Sequence, residues 1–410
     1  MANRLNRPEI LAPVGDSERL DAALLYGADA VYLAGKQFGM RLAPANFDLE
    51  ELATGVQKAH ENGTKVYVTV NILPRNRDLP ALPAYLSALQ DIGVDALILA
   101  DLGAMSLARR YAPKLEQHIS TQMGVVNYES ARVLYEMGAK RVVLARELSL
   151  EEVAEICAKV PRELEVECFV HGAMCMGFSG RCLLSTYLTG RDSNHGECAQ
   201  SCRWKYRIIE ETRPDAIYGV EQDENGTFFF NAKDLNMIDH VAALAQAGVS
   251  SFKIEGRAKA PYYVAVTTNA YRQAVDGYIA SGCASDYRPE RWLAAELDTI
   301  SHRPYGTGFY FGEPEQYPHS NTYIRSWQIA AVVTGYRDGR LQLQQRNRFL
   351  VGDTLSVLIP GDKPFDLTVT EMTDGEGTPI EAAPHPTMAV QLPFSHPLPI
   401  GTILRRKADQ

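Results

Sequence analysis

Short apolar segments alternate with helical segments from Glu9 to Ile254, and this alternation constrains the fold more than any other feature of the chain. The intervening segments have helical patterns of suitable length, for example Ser17–Tyr26 and Leu49–Glu61. Several of them end in glycine, which supplies the left-handed residue of a helix C-cap. The eight strand-like segments are Glu9–Ala12, Ala30–Leu33, Lys65–Ile72, Ala96–Ala100, Gln117–Thr121, Arg141–Ala145, Leu164–Val170 and Ser251–Ile254.

This alternation predicts an α/β protein whose strands pair in parallel through right-handed crossovers. Eight such units close a TIM-like (β/α)8 barrel within about 250 residues. A doubly wound open sheet with a nucleotide at its first turn is the alternative. That turn, Pro13-Val14-Gly15-Asp16, lacks the G-x-G-x-x-G fingerprint, so the sequence favours the barrel.

Strand spacing and turn composition divide the chain into three parts. Residues 1–285 form the predicted barrel, with an insertion at about 172–232, where the spacing between strands seven and eight is much longer than elsewhere. A polar, proline-rich linker is predicted at 286–324. In 325–410 short strands alternate with Gly and Pro turns, which predicts a small antiparallel β-barrel.

Charge and hydropathy restrict the functional classes. The net charge of −9 counts against a generally basic nucleic-acid binder, so any RNA contact must use a local basic patch. The polar segment Met1–Glu9 has no signal-peptide pattern, and apolar runs such as Ala96–Ala100 are too short to span a bilayer. We therefore expect a cytoplasmic protein without a membrane partner.

Polar side chains follow the predicted strands at the ends where a TIM barrel carries its chemistry. Glu167 and His171 are predicted to share one face of strand seven, because strand side chains alternate. Two other polar residues, Asp16 and Asp101, could equally cap helices. For the charged residues the alternative is an internal ion-pair network. The long polar groups of this rim are Arg146, Glu147, His171, Glu255 and Arg257.

Four of the seven cysteines lie close together in sequence, at Cys175, Cys182, Cys198 and Cys202. In a reducing compartment this clustering indicates a metal site rather than disulfides. Four thiolates can close a tetrahedral zinc site or a 4Fe–4S cubane. A zinc ribbon uses two C-x-x-C knuckles, which these spacings fit poorly. Spacing alone leaves an iron–sulfur site, a zinc site and merely buried thiols open.

The segment around these cysteines carries a family resemblance. From Glu167 to Ser185 it reads ECFVHGAMCMGFSGRCLLS and resembles the signature of the collagenase-like peptidase family U32. The N-terminal EILAPVGDSERLDAALLYGADAVYLAGKQFGMR, the KIEGR at Lys253–Arg257 and the NRFLVGDTL at Asn347–Leu355 are also similar to that family. The resemblance therefore covers nearly the whole chain. The signature matches at Glu167, Phe169, Gly172, Ala173, Met174, Cys175, Gly180, Cys182 and Ser185.

This resemblance implies a branch of the family that hydroxylates RNA and carries a 4Fe–4S cluster. By that resemblance, Cys175, Cys182, Cys198 and Cys202 become the cluster ligands. The implied reaction is an oxygen-independent, prephenate-dependent hydroxylation of a tRNA wobble uridine to 5-hydroxyuridine. Cluster-assembly or electron-transfer proteins become expected partners.

The rim residues then acquire expected roles. Prephenate is a dianion, so cations that form charge-assisted hydrogen bonds are expected to bind it. The three cations in question are Arg146, Lys253 and Arg257. Proton transfer during catalysis is expected from Glu167, His171 and Glu255.

RNA contact is expected from a basic and aromatic run in the insertion, Arg203, Trp204 and Lys205, which suits phosphates and base stacking. The alternative is a solvated face with Trp204 packed on the barrel. Other interpretations of the chain are a family protease, a hydroxylase of another RNA or of a small aromatic substrate, or a non-catalytic scaffold. The absence of H-E-x-x-H and G-x-S-x-G motifs counts against the protease. The tail could add phosphate contacts through Arg346, Arg348, Arg405, Arg406 and Lys407.

Overall fold

The structure is a computed structural model that describes residues 7–40, 46–175, 182–204, 222–223, 226–227, 232–314 and 323–408. Its first twelve strands are β1 (Glu9–Pro13), β2 (Ala30–Leu33), β3 (Lys65–Val70), β4 (Ala96–Leu99), β5 (Glu116–Ile119), β6 (Arg141–Val143), β7 (Glu165–Gly172), β8 (Gln222–Asp223), β9 (Gly226–Thr227), β10 (Asp234–Asn236), β11 (Ser251–Ile254) and β12 (Tyr305–Gly306). The α-helices are α1 (Ser17–Leu25), α2 (Leu49–Glu61), α3 (Leu82–Ile92), α4 (Leu102–Tyr111), α5 (Tyr128–Glu136), α6 (Leu150–Lys159), α7 (Leu184–Thr189), α8 (Val241–Gln246), α9 (Pro261–Ala280) and α10 (Arg291–Leu297).

Eight parallel strands close into a barrel. Their order is β11-β1-β2-β3-β4-β5-β6-β7, and β11 also pairs with β7. Ser251 lies opposite Glu9 on one side and opposite Glu167 on the other, so β11 joins the two ends of the sheet. This closure confirms the predicted TIM-like barrel and excludes the open sheet.

Local sequence explains where the barrel helices begin. Asp48 and Ser149 each form a capping box. The side chain of the cap accepts a hydrogen bond from the backbone N–H of the glutamate three residues later, and the side chain of that glutamate accepts one from the backbone N–H of the cap. Asp16 and Asp101 accept from backbone N–H groups at the start of α1 and α4. These two polar rim residues are therefore helix caps.

The barrel is filled with side chains and is not a pore. Small and aromatic groups pack across its middle, and a larger apolar core lies between the strands and the surrounding helices. Chemistry is thereby restricted to the strand ends. In the part of the chain that the structure describes, none of the helices has the length and apolar character needed to cross a membrane. The residues of the central layer are Leu11, Ala30, Tyr32, Tyr67, Ala96 and Ile98.

The segment predicted as a linker, 286–324, extends the barrel domain. It contains α10 and β12, and Leu293, Leu297 and Ile300 are buried in the main core. Strand β12 pairs in parallel with β10, which pairs antiparallel with the end of β7. This corrects the linker prediction, because the polar residues of the segment surround a buried apolar face.

The C-terminal domain is a curled antiparallel sheet with its own apolar core. The strand order in the main sheet is β17-β16-β21-β13-β14-β20-β18, and β15 pairs with β19, which agrees with the predicted antiparallel β domain. These strands are β13 (Trp327–Arg337), β14 (Arg340–Gln345), β15 (Phe349–Leu350), β16 (Thr354–Leu358), β17 (Phe365–Thr368), β18 (Thr373–Asp374), β19 (Ala382–Ala383), β20 (Ala389–Pro393) and β21 (Ile403–Lys407).

Tail arginines join the C-terminal domain to the barrel helices. Arg405 donates to Glu296 Oε1 at 2.6 Å and to Tyr262 Oη at 3.0 Å, and only 1% of Arg405 is exposed. Arg346 forms an ion pair with Glu18 of α1 at 3.0 Å. Arg405 therefore connects the two domains, and its buried guanidinium is not available for the phosphate contact that the sequence predicted.

Candidate functional site

The described part of the insertion, residues 182–204 (the cysteine segment), lies at the carboxyl end of the barrel. Leu73, just beyond β3, donates its backbone N–H to the Asn194 carbonyl at 3.3 Å. Arg75 Nη2 forms an ion pair with Asp192 Oδ2 at 2.8 Å. These contacts hold the cysteine segment against a loop at the end where TIM barrels carry their chemistry.

Arg146 connects the end of β6 to the first of the four clustered cysteines. Its Nη1 donates to the Ala173 carbonyl at 2.9 Å, and its Nη2 donates to Cys175 Sγ at 3.3 Å. The guanidinium lies 4.9 Å from the centre of the Phe169 ring, within cation–π range. Burial opposes the charge, but Cys175 and Glu255 raise the pKa of Arg146 above its usual value. A fixed cation therefore lies beside a sulfur at the barrel rim.

The cysteine segment folds back on itself. Ser185 Oγ, in α7, accepts from the Ala199 N–H at 3.0 Å. Cys198 Sγ accepts from the Gln200 N–H at 3.4 Å. Helix α7 packs against the 3-10 helix Ser201–Arg203, which carries the last clustered cysteine. Three of the four predicted ligands thus belong to one compact segment.

The donor chemistry suits a metal, but the described arrangement does not close a site. All four cysteines are free thiols, with Cys175 and Cys198 exposed. Hydrogen bonds to sulfur, as at these two residues, are one means by which proteins tune iron–sulfur clusters. Among the described residues, however, no three His, Cys, Asp or Glu side chains are grouped so that they could hold a metal ion. Residues 176–181, between the first two cysteines, lie outside the described residues.

A network of charged side chains fills the amino end of the barrel. Arg141, the first residue of β6, contacts Glu9 at 2.6 Å and Glu165 at 2.6 Å. It also contacts Glu167 at 3.1 Å, and Lys253 Nζ contacts the other Glu167 oxygen at 2.7 Å. Burial opposes ionisation of Glu167, but Lys253 and Arg141 hold the pKa of its carboxyl below the usual value. Buried charges of this kind are tolerated because they are paired.

This placement separates two predicted site residues from the rim. Glu167 is fully buried, and Lys253 Nζ lies inside the barrel, 4.4 Å from the centre of the Tyr32 ring. The two residues form an ion pair, as the internal-network alternative predicted. The catalytic role expected of Glu167 and the substrate-binding role expected of Lys253 stay predictions, and the described contacts of both residues are those of an internal ion pair.

His171 does not lie beside Glu167. The pairing of β7 with β11 shifts register after Lys253, and an irregularity of this kind changes which face the following side chains occupy. The ring of His171 packs against Tyr271 of α9 and against Tyr305, with ring centres 5.7 Å and 5.3 Å away. Burial lowers the pKa of His171 to about 3, so the imidazole is neutral near pH 7. The predicted shared face is wrong because the irregularity breaks the two-residue alternation.

Glu255 and Arg257 remain at the carboxyl end of the barrel. Arg257 Nη1 donates to Thr69 Oγ1, near the end of β3, at 3.0 Å. The backbone of Arg257 passes close to Gly15, where a Cβ would lie 2.3 Å from the Arg257 carbonyl oxygen. Glu255 is half-buried. Together with Arg146, these two residues provide the charged groups of the candidate site.

Trp204 is the one predicted nucleic-acid-binding residue whose side chain the structure describes. It is 45% exposed, so nearly half of its surface is open to solvent. Lys205 and the side chain of Arg203 lie outside the described residues. Two residues that the sequence did not single out are Tyr187, whose side chain is 84% exposed, and Arg141, which pairs with three carboxylates in the barrel. Their sequence signals were an apolar run in a short surface helix and a charged residue at the start of a buried strand.

Comparisons with known proteins identify a family and relatives over most of the chain. The profile of peptidase family U32 matches residues 15–320, and that of the family's C-terminal domain matches residues 325–405. The tRNA hydroxylation protein P1 of Bacillus subtilis is 38% identical over 407 residues, covering 98% of this chain and 95% of that protein.

Two further relatives have different names. A 23S rRNA 5-hydroxycytidine synthase of Escherichia coli is 36% identical over 310 residues, covering 75% of this chain and 45% of that protein. A collagenase of Porphyromonas gingivalis is 35% identical over 322 residues, covering 75% of each chain. With family profiles matching both the barrel and the C-terminal domain, the chain belongs to peptidase family U32.

Proposed function

We propose that this protein hydroxylates RNA and converts a tRNA wobble uridine to 5-hydroxyuridine in the cytoplasm. One relative, matched over nearly its whole length, is named for tRNA hydroxylation, and another is named for making 5-hydroxycytidine in 23S rRNA. Both names describe hydroxylation of RNA. A tRNA target is favoured because the first relative also shares the C-terminal domain, whereas the second match covers 45% of its protein.

The observation that carries this proposal is the contact between Arg146 and Cys175 at the carboxyl end of the barrel. It joins a barrel residue to the cysteine signature at the end where this fold carries its chemistry. Glu255 raises the pKa of Arg146, so a carboxylate lies near the same cation. A cation, a carboxylate and a thiol therefore meet at one place.

We propose that a 4Fe–4S cluster binds to Cys175, Cys182, Cys198 and Cys202. When bound, it would supply the redox chemistry that hydroxylation of an unactivated pyrimidine carbon requires from a cofactor. Four free thiols, two of which accept N–H bonds, support this assignment. Ligation requires the four sulfurs to draw together, because they do not converge among the described residues. Cluster-assembly or electron-transfer proteins are the partners we propose.

We propose prephenate as the co-substrate, bound by Arg146 and Arg257. Prephenate carries two carboxylates, which guanidinium groups bind in a bidentate manner. Lys253 is paired with Glu167 inside the barrel, away from the carboxyl end, so we assign the two carboxylates to the two arginines. Glu255, half-buried at the same end, is the proton-transfer group that we propose.

Proteolysis is a second candidate function, because one relative is a collagenase. A cysteine protease needs a thiolate activated by a nearby base. The contact described for Cys175 Sγ is with Arg146, and the buried His171 has a pKa of about 3. These contacts do not support a cysteine–histidine nucleophile.

Nucleoside analysis of tRNA tests the proposal, using a strain that lacks the gene and carries wild-type or variant protein. Wild type and the surface control Lys159→Ala should restore 5-hydroxyuridine, whereas Arg257→Ala and Cys198→Ala should not. Anaerobically purified wild type should contain about four irons and four sulfides per chain, which Cys198→Ala loses. No 5-hydroxyuridine with wild type, together with gelatin cleavage by the purified protein, would support proteolysis instead.

A further inference from the structure

The cysteine segment carries exposed apolar and aromatic side chains that the candidate site does not use. In and next to α7, Tyr187 is 84% exposed, Leu183 is 53% exposed and Leu188 is 49% exposed. Trp204, 45% exposed, directly follows the 3-10 helix that packs against α7. We call these four residues the aromatic face. Several large exposed apolar side chains on two elements that pack together are typical of a binding site.

Acidic groups beside the aromatic face are engaged within the protein. Asp192 Oδ2 accepts from Arg75 Nη2 at 2.8 Å. Asp78 lies 3.7 Å from His195 Nε2. Glu197 accepts from the Asp192 N–H at 3.3 Å. These contacts engage the carboxylates within the protein, and Asp192 is paired with the cation of Arg75.

Two arginines of this region are open to solvent. Arg191, two residues after α7, is exposed. Arg77, in the loop that holds the cysteine segment, has a side chain that is 68% exposed and lies 3.8 Å from Asp78. Aromatic rings with cations beside them suit single-stranded nucleic acid, because bases stack on the rings while phosphates contact the cations. Exposed rings together with exposed arginines therefore favour an RNA occupant, although the chain as a whole is acidic.

We propose that the aromatic face binds unpaired bases of an RNA loop, with Tyr187 and Trp204 as the stacking residues. This inference rests on the proposed function and deepens it, since it names the form of the RNA that is bound. Leu73 and Arg75 hold the cysteine segment at the carboxyl end of the barrel, so RNA bound there lies at the same end as Arg146. Unpaired bases are the part of an RNA that can be splayed out and stacked on side chains.

The test measures binding of a fluorescent anticodon stem-loop RNA, and of the same stem without its loop, to the full-length protein. Tyr187→Ala and Trp204→Ala should each weaken stem-loop binding by roughly 10- to 100-fold, the range typical of a lost stacking contact. Tyr187→Phe keeps the ring and should bind within about twofold of wild type. Tyr111→Ala is the control, because Tyr111 is an aromatic residue about as exposed as Trp204 (42% against 45%) and lies at the carboxyl end of α4.

Two results would overturn the proposal: unchanged stem-loop affinity in both alanine variants, or equal wild-type affinity for the stem without its loop. Self-association lost in Tyr187→Ala with RNA affinity intact would likewise assign the face to a second copy of this chain. A failure of the proposed function would look different. The wild-type protein would then bind the stem-loop, yet tRNA from the complemented strain would contain no 5-hydroxyuridine.

Discussion

Arg141, at the amino end of β6, contacts three carboxylates inside the barrel, whereas Arg146, just beyond the carboxyl end of the same strand, contacts a carbonyl and a thiol. The first arginine is almost fully buried and the second is half-buried. The amino end thus uses its charges to connect strands, and the carboxyl end directs its charges toward a surface loop.

This difference has a physical cause. A charge taken out of water is tolerated only when a partner of opposite sign lies close to it, so the closed amino end must pair its ionised groups internally. At the carboxyl end, Arg146 and Glu255 are only half-buried, whereas Arg257 is buried. The four predictions below test that contrast, beginning with the largest expected effect.

The substitution Arg141→Ala should have the largest effect on stability. It would leave buried Glu167 and the neighbouring Glu165 without their shared cation, and removing one partner of a buried pair costs about 3–5 kcal/mol. Urea unfolding at pH 7 measures the loss. Lys159→Ala, which removes an exposed pair with Glu155, should unfold like wild type. If Arg141→Ala and Lys159→Ala had the same free energy of unfolding, the charge network at the amino end would stabilise the protein no more than an exposed ion pair does.

The substitution Arg146→Gln should affect activity more than stability. Loss of the Arg146 contact with Cys175 would displace the loop, and a site misplaced by about 1 Å loses roughly 100-fold in rate. The measurements are 5-hydroxyuridine content of tRNA and the melting temperature of the purified variant. A melting temperature as low as that of Arg141→Ala would show that Arg146 belongs to the stabilising set instead.

The pH dependence of stability should reveal His171 as a buried neutral group. Its pKa is about 3 in the folded protein and 6.5 in the free side chain. Between these values the unfolded chain binds a proton that the folded chain does not, so stability falls as the pH decreases. From pH 7 to pH 5 the contribution of His171 is about 2 kcal/mol.

Urea unfolding at pH 5, 6 and 7 checks this expectation. The substitution His171→Gln should flatten the slope without abolishing it, because burial also lowers the pKa of His118 inside the barrel. If the slope of stability against pH were unchanged in the variant, His171 would have its ordinary pKa in the folded protein. The side chain would then be open to solvent, as expected of a rim residue.

The substitution Arg75→Ala should have the smallest effect on stability. In its ion pair with Asp192 the arginine side chain is 60% exposed, and pairs open to solvent contribute roughly 0–1 kcal/mol. The pair nevertheless holds the cysteine segment, so hydrogen exchange within residues 182–204 should become faster while exchange in the barrel strands stays the same. Unchanged exchange in the cysteine segment would mean that the Leu73 contact suffices to hold it.

Local sequence was sufficient to predict the barrel, because strand and helix periodicity is carried by neighbouring residues. All eight predicted strands are present, and Asp16 and Asp101, which the sequence offered as possible helix caps, cap α1 and α4. The cysteine signature and the family could also be recognised from residues close together in the chain. Composition was a weaker guide: it predicted a linker where α10 and β12 pack against the barrel.

The roles of individual charged residues were decided by the tertiary structure. Glu167 and Lys253 read as site residues in sequence, yet barrel closure brings β7 beside β11 and pairs them internally. Domain docking likewise buries Arg405 against Glu296. A single irregularity in strand pairing turned His171 away from Glu167. The sequence determines which groups can ionise, but whether each is paired, buried or open depends on partners that lie far away along the chain and meet only when the barrel closes.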